Sequence, residues 1–218
     1  MSSVELKIES IVLNQVDYLI QSLKDRQQYD ENDLEAIKLG ISPATWPLFG
    51  IVWPSSIILA STVAQMKLGD MRVLEIGCGI AFSSIVLHRL GVNITASDYH
   101  PQAKKFLDTN ILNNALPPIS YQTGNWDTDN NSLGEFDLII GSDVLYEPIH
   151  AKKVSEFINT HSAKNVQVII VDPNRTNRSG FTRRMISLGY SHNSERFSMV
   201  DLDMKNHKGH ILYYQRHI

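Results

Sequence analysis

The sequence predicts a doubly wound α/β fold on a mostly parallel sheet, and three observations carry that expectation. From Pro54 onward, short apolar runs of strand length alternate with helical patterns. Two of the runs, Asp137–Ile140 and Val166–Val171, lack strict polar alternation, as strands covered on both faces do. Between one run and the helix after it lies a glycine turn, Gly77-Cys78-Gly79, which lets the backbone take positive φ and offers a ligand the N–H groups of a helix start.

The elements follow in order. Val4 to Gln27 sets Val4, Leu6, Ile8, Ile11, Val12, Val16, Leu19, Ile20 and Leu23 at near-helical spacing, so residues 1–40 are expected to form a helical N-terminal extension or lid, with the main domain over 41–218. Gln28–Glu35 is polar and reads as a loop or helix start, with Asp30, Asn32 or Asp33 as cap. The spacing then predicts a helix over Ser55–Lys67, a strand Arg72–Ile76, a helix Ala81–Leu90, a strand Asn93–Asp98 and a helix Pro101–Ala115. Strands Ile119–Thr123, Phe136–Ile140 and Val166–Val171 come next, with helical patterns between the last two and after Arg175. Phe197–Met204 and His210–Gln215 flank a glycine-containing turn and predict a hairpin that adds an antiparallel strand.

Composition narrows the function classes. With 218 residues, 43% hydrophobic and a net charge of -3, the chain has material for one sizeable core and no basic excess for nucleic-acid phosphates. The longest apolar stretch, Ile51–Met66, is broken by Pro54, Ser55 and Ser56 and is too polar to span a bilayer. One cysteine and a start without a basic flank and apolar core lead to the expectation of a cytoplasmic protein, here a monomer. The close pair His207 and His210 has no Cys or acid cluster at ligand spacing, so no metal is expected.

The glycine turn departs from a dinucleotide loop, because the sixth position of G-x-G-x-x-G is Phe82. Asp98 ends the second strand about 20 residues further on, the spacing of a βαβ unit, where a carboxylate suits a ribose diol. It also suits the start of the next helix, which carries Pro101 in its first turn. Beyond the third strand, Asn125 suits an adenine edge and Trp126 its face, although Trp126 would serve equally as a loop plug.

The acid at Glu75 before Gly77-x-Gly79 resembles motif I of the class I S-adenosylmethionine-dependent methyltransferases. Asp143-x-x-Tyr146 is similar to the D-x-x-Y motif of methyltransferase family 16, a branch rich in protein lysine methyltransferases. Trp53-Pro54, Asn110 with Asn114, and Trp126 resemble further elements of that family, and Asp172-Pro173-Asn174-Arg175 is similar to the D-P-G-R of enzymes that methylate the β-subunit of electron transfer flavoprotein. The likeness covers roughly residues 41–175 and is specific as a set. Ala81 departs from the glycine many members carry, its small size making the change harmless by expectation, and residues 1–40 have no counterpart.

The resemblance implies a Rossmann-like, seven-stranded enzyme with S-adenosylmethionine as cofactor and S-adenosylhomocysteine as product. Trp53, Glu75, Gly77, Cys78, Gly79, Asp98, Asn125, Trp126 and Ser142 are the implied cofactor residues, with Glu75 beside the methionine ammonium directly or through water. Asp143 and Tyr146 are the implied catalytic pair, and Trp46 and Arg175 join them in binding substrate, Arg175 through an acidic substrate or else a neighbouring carboxylate. The implied acceptor is an amine, on a protein lysine or alternatively on a small metabolite; a non-catalytic scaffold is the reading from another class. Keeping a lysine amine neutral at pH 7 costs about 4–5 kcal/mol unless the site lowers its pKa, which an aromatic channel does by desolvation. A carboxylate beside it works in the opposite sense, so Asp143 is expected to orient the amine rather than act as a strong base.

Overall fold

The computed structural model describes residues 4–127, 133–200 and 205–217. Its first half comprises β1 (Leu6–Leu13), β2 (Val16–Leu23), α1 (Leu34–Lys38), a 3₁₀ turn (Trp46–Gly50), α2 (Pro54–Val63), β3 (Arg72–Ile76), α3 (Phe82–Arg89), β4 (Asn93–Asp98) and α4 (Ala103–Asn113). Then come β5 (Ser120–Thr123), β6 (Phe136–Ser142), α5 (His150–Thr160), β7 (Ser162–Asp172), α6 (Arg178–Ser187), β8 (Ser191–Val200) and β9 (Asn206–His217). The sheet runs β5-β4-β3-β6-β7-β9-β8, with β3, β4, β5, β6 and β7 parallel and β9 antiparallel between β7 and β8. Chain order reverses on either side of β3, so the crevice where such sheets take ligands opens at the carboxyl ends of β3, β4 and β6.

Alternate residues of the central strands feed two cores. Val73, Leu138, Ile140, Ile169 and Val171 pack with α2, α3 and α4 on one face. Leu74, Ile76, Ile139, Val168 and Ile170 pack with α5 and α6 on the other. That division is why these strands read as continuous apolar runs. The last part of the expected strand Phe197–Met204, residues 201–204, lies outside the described residues. Among the described residues no helix is long and apolar enough to cross a membrane.

The N-terminal helix is corrected. Residues 6–23 form an antiparallel hairpin, β1 against β2, turned by Asn14 and Gln15 at φ 51° and 65°, the left-handed pair that matches the twist of a two-residue hairpin. Adjacent apolar pairs such as Ile11-Val12 and Leu19-Ile20 satisfy a helical and a two-residue period alike, and tertiary packing decides between them. The inward face puts Tyr18 and Ile20 into the same core as α2 and α3.

Two amides, on α4 and at its C-terminal cap, hold the hairpin there. Asn114 accepts from Leu19 N at 3.1 Å and donates to Leu19 O at 2.8 Å; Asn110 accepts from Gln21 N at 2.7 Å and donates to Gln21 O at 3.2 Å. Four residues of helix rise about 6 Å and two residues of strand about 6.6 Å, so the spacing of the two amides copies the open edge of β2. Asp33 caps α1 by accepting from Ala36 N at 3.0 Å.

Candidate active site

β3 ends at Ile76 and the chain turns through Gly77 and Gly79 at φ 57° and 54°. The turn is tied to β4: Cys78 N donates to Ser97 O at 3.0 Å and Gly79 N to Asp98 Oδ2 at 2.7 Å, while His100 N donates to Asp98 Oδ1 at 2.7 Å. Asp98 therefore fixes the loop and also starts the following turn. Burial pushes its carboxyl up, and the N–H groups of His100, Gly79 and Tyr99 pull it back. A carboxylate has about four acceptor positions, so its two oxygens keep capacity for a diol. A Cβ on Gly79 would lie 2.7 Å from Phe49 O, and one on Gly77 2.9 Å from Val144 Cγ1 and 3.4 Å from the Trp126 ring. The cradle is walled so closely that only glycine fits.

Three expectations on this side are revised. Glu75 is 1% exposed and accepts from Ser84 N at 2.8 Å and from Ser84 Oγ, so it anchors the first turn of α3. Burial pushes it up to about 7, against the pull of those serine hydrogen bonds. The helix begins at Phe82 rather than Ala81, because Ala81 is its cap in the left-handed region at φ 60°. An alanine there costs about 1 kcal/mol relative to glycine, so small size alone does not make the replacement harmless. Trp46 is withdrawn from the substrate wall: it is 2% exposed, donates to Asp33 Oδ2 at 3.0 Å and packs edge-on against Phe49 and His100.

Phe49 also stacks on His100 at 3.9 Å, and burial lowers that imidazole to about 4. Trp126 is half-buried over Gly77 and perpendicular to His150 at 5.1 Å. Asn125 Oδ1 accepts from Asp127 N at 2.9 Å, which leaves its amide nitrogen for a ligand. Cys78 is buried, its thiol pushed up by that burial. Ser142 closes β6 opposite Val171.

The expected acceptor side starts at the next residue. Asp143 sits at φ 54° just past β6, with its N–H donating to Val171 O at 2.8 Å. Arg175 grips its carboxylate with Nε and Nη2, both at 2.7 Å. The choice left open for Arg175 thus falls to a neighbouring carboxylate. Buried Asp172 accepts from Arg175 N at 2.9 Å and sets the turn that aims the guanidinium; burial pushes Asp172 up to about 6. Asp143 and Arg175 share a cavity of about 210 Å³ with Trp53, Arg26, Pro54, Ser55, Pro173 and His207. Trp53 is pinned by donation from its indole to Leu48 O at 2.9 Å, and the Arg26 guanidinium lies 4.7 Å above its ring.

Tyr146 packs edge-on against His150 at 4.5 Å. Burial pushes its phenol up to about 12, with Asp98, Glu147 and Asp143 adding to the shift and Arg175 opposing it. The hydroxyl is within electrostatic reach of both halves of the site and keeps its proton at neutral pH. Sequence reasoning missed His150, whose only local signal is its place at the start of an amphipathic helix after Pro148, and Arg26, which carries no local signal. Among the described residues, no three His, Cys, Asp or Glu side chains are placed to hold a metal ion.

The profile of a family described as lysine methyltransferase matches residues 47–187. The chain belongs to that family. A histone-arginine methyltransferase of Xenopus laevis, METTL23, is 34% identical to this chain over 104 residues, 44% of either chain. The Bos taurus protein-lysine methyltransferase METTL21E is 33% identical over 122 residues, 50% of this chain and 42% of its own. The chain spans about half the length of the relatives it matches. Among solved structures, a precorrin-6y C5,15-methyltransferase of Geobacter metallireducens superposes with a TM-score of 0.62 at 12% identity, over 76% of this chain and 90% of that one. Magnesium protoporphyrin IX methyltransferase of Synechocystis, with S-adenosylhomocysteine bound, gives 0.58 at 16% identity over 74% and 81%. These likenesses establish the seven-stranded fold. S-adenosylmethionine is the cofactor of this family, and the glycine cradle, the acceptor at Asp98 and the indole over Gly77 fit it.

Proposed function

We propose that the methyltransferase moves a methyl group from S-adenosylmethionine to a protein lysine side chain in the cavity beside Asp143. The observation that carries this reading is the fork between Asp143 and Arg175, 2.7 Å at both contacts, in a cavity walled by Trp53. When bound, the cofactor would supply a sulfonium methyl for in-line transfer to a neutral amine, with S-adenosylhomocysteine as the leaving thioether and the proton of the methylated ammonium released to solvent. Gly77, Gly79, Asp98 and Trp126 hold the donor, while Asp143 and Tyr146 orient the acceptor. A lone carboxylate would raise the amine's pKa and oppose its deprotonation. The Arg175 guanidinium cancels that field, and Asp143 keeps lone pairs to accept one N–H. Trp53 adds desolvation, which favours the neutral amine.

The same fork argues for lysine over arginine. A guanidinium acceptor is best recognised by a carboxylate free to bind it bidentately, and Arg175 already occupies that geometry. The relatives include both acceptor types, so the test reads the product. Lysate proteins incubated with the enzyme and methyl-labelled cofactor, then hydrolysed to amino acids, should carry the label as Nε-methyllysine. Label in methylarginine transfers the reading to arginine, and label confined to small molecules sinks a protein acceptor.

A further inference from the structure

The acceptor cavity is more basic than its chemistry requires. Asp143 is the only acid among its described lining residues, and Arg175 already matches it; Arg26 and His207 complete the ionisable lining. Arg26 makes no ion pair among the described residues, and its guanidinium lies over the Trp53 ring at 4.7 Å. Beyond the mouth, Arg178 bonds Asn174 Oδ1 at 2.8 Å and contacts His210, and Asn174 donates to Lys208 O at 3.2 Å. The charges of Arg178 and Arg196 help hold the His210 imidazole below its usual range, after burial, so the loop carries a positive field.

A lysine that arrives as an ammonium and reacts as a neutral amine gains no attraction from that field in either form, so affinity has to come from elsewhere on the substrate. Resting on the lysine reading above, we propose that Arg26 is a specificity residue: it receives a carboxylate that the acceptor segment carries close in sequence to its target lysine. Its place over the Trp53 ring holds the guanidinium at the cavity, where its N–H groups suit a bidentate carboxylate. The same positive rim lowers the pKa of the incoming ammonium, so one arrangement serves both recognition and deprotonation. The substrate class is lysine in an acidic context.

The test uses fluorescent peptides with a single lysine flanked within three residues by Glu, by Gln or by Lys, titrated against the full chain saturated with S-adenosylhomocysteine. The Glu-flanked peptide should bind about three- to fivefold tighter than the Gln-flanked one, and the preference should shrink as ionic strength rises from about 50 to 300 mM. Arg26→Gln should abolish the preference, Arg26→Lys keep part of it and Arg26→Glu reverse it toward the Lys-flanked peptide. Equal weakening of every peptide in Arg26→Gln would show that Arg26 only supports Trp53 and would overturn the proposal. So would a wild-type enzyme with no preference, or one with no measurable affinity for the Glu-flanked peptide at millimolar concentration, whatever the variants do. Methyl transfer is read separately: a Glu-flanked peptide that binds with preference but is never methylated counts against the lysine reading and leaves the role of Arg26 standing.

Discussion

The two halves of the site meet at the carboxyl ends of the central strands and are built in opposite ways. On the cofactor side, the loop at 77–79 is held by its neighbouring strand through Ser97 O and Asp98, both within about 20 residues of chain. On the proposed acceptor side, Arg26, Trp53, Asp143 and Arg175 arrive from four separate segments, tied at one cavity by the fork and by the Arg26 guanidinium over the Trp53 ring. The first half is a backbone device, in which glycine is required by space. The second is a side-chain device, in which charge pairing sets the chemistry and single substitutions retune it.

The sharpest way to break this contrast is Gly79→Ala. Its Cβ would meet Phe49 O at 2.7 Å on a left-handed backbone, and calorimetry should show cofactor affinity falling by about a hundredfold or more. A variant that still binds normally would mean the cradle is softer than its geometry. Asp143→Asn acts on the other half: turnover should fall about thirtyfold while the cofactor Kd stays within about twofold. A parallel loss of cofactor binding would show that the halves are not separable.

Acid separates them as well. His100 sits under the cofactor half, stacked on the Phe49 whose carbonyl walls Gly79. With its pKa lowered from 6.5 to about 4, it stays neutral in the fold while the unfolded chain takes up the proton. Its contribution to stability is therefore present above pH 6.5 and is lost as pH falls toward 4. Chemical denaturation at pH 7 and pH 5 should show His100→Phe losing about 1–2 kcal/mol less than wild type between them. An identical loss in both proteins would remove His100 from the account. The smallest effect is expected at Ala81→Gly, which should gain about 0.5–1 kcal/mol in thermal or denaturant unfolding by relieving the left-handed cap. A destabilised glycine variant would show that the buried methyl of Ala81 outweighs its backbone strain.

Legibility in the sequence divided along the same line. The alternation from Pro54 onward, the glycine turn, Asp98 at a strand end and the antiparallel tail could be read because each is a local demand: positive φ calls for glycine, two-sided burial for an unbroken apolar run, and a helix start for a cap. The hairpin at 6–23 was misread because its adjacent apolar pairs fit two periods, and the amides of Asn110 and Asn114, about ninety residues away, choose the extended one. Trp46 is turned inward to Asp33 and Glu75 is tied to Ser84, partners that no local pattern in the sequence announces.

By itself, then, the sequence determined the doubly wound sheet, the position of the glycine cradle and the carboxylates at the ends of β4 and β6. Only the tertiary structure decided which charge Arg175 neutralises, which tryptophan lines the acceptor cavity and which arginine stands at its mouth. Backbone conformation is dictated by residues a few positions apart, whereas the partner of a charge or the burial of an indole is fixed by whatever distant segment packs against it.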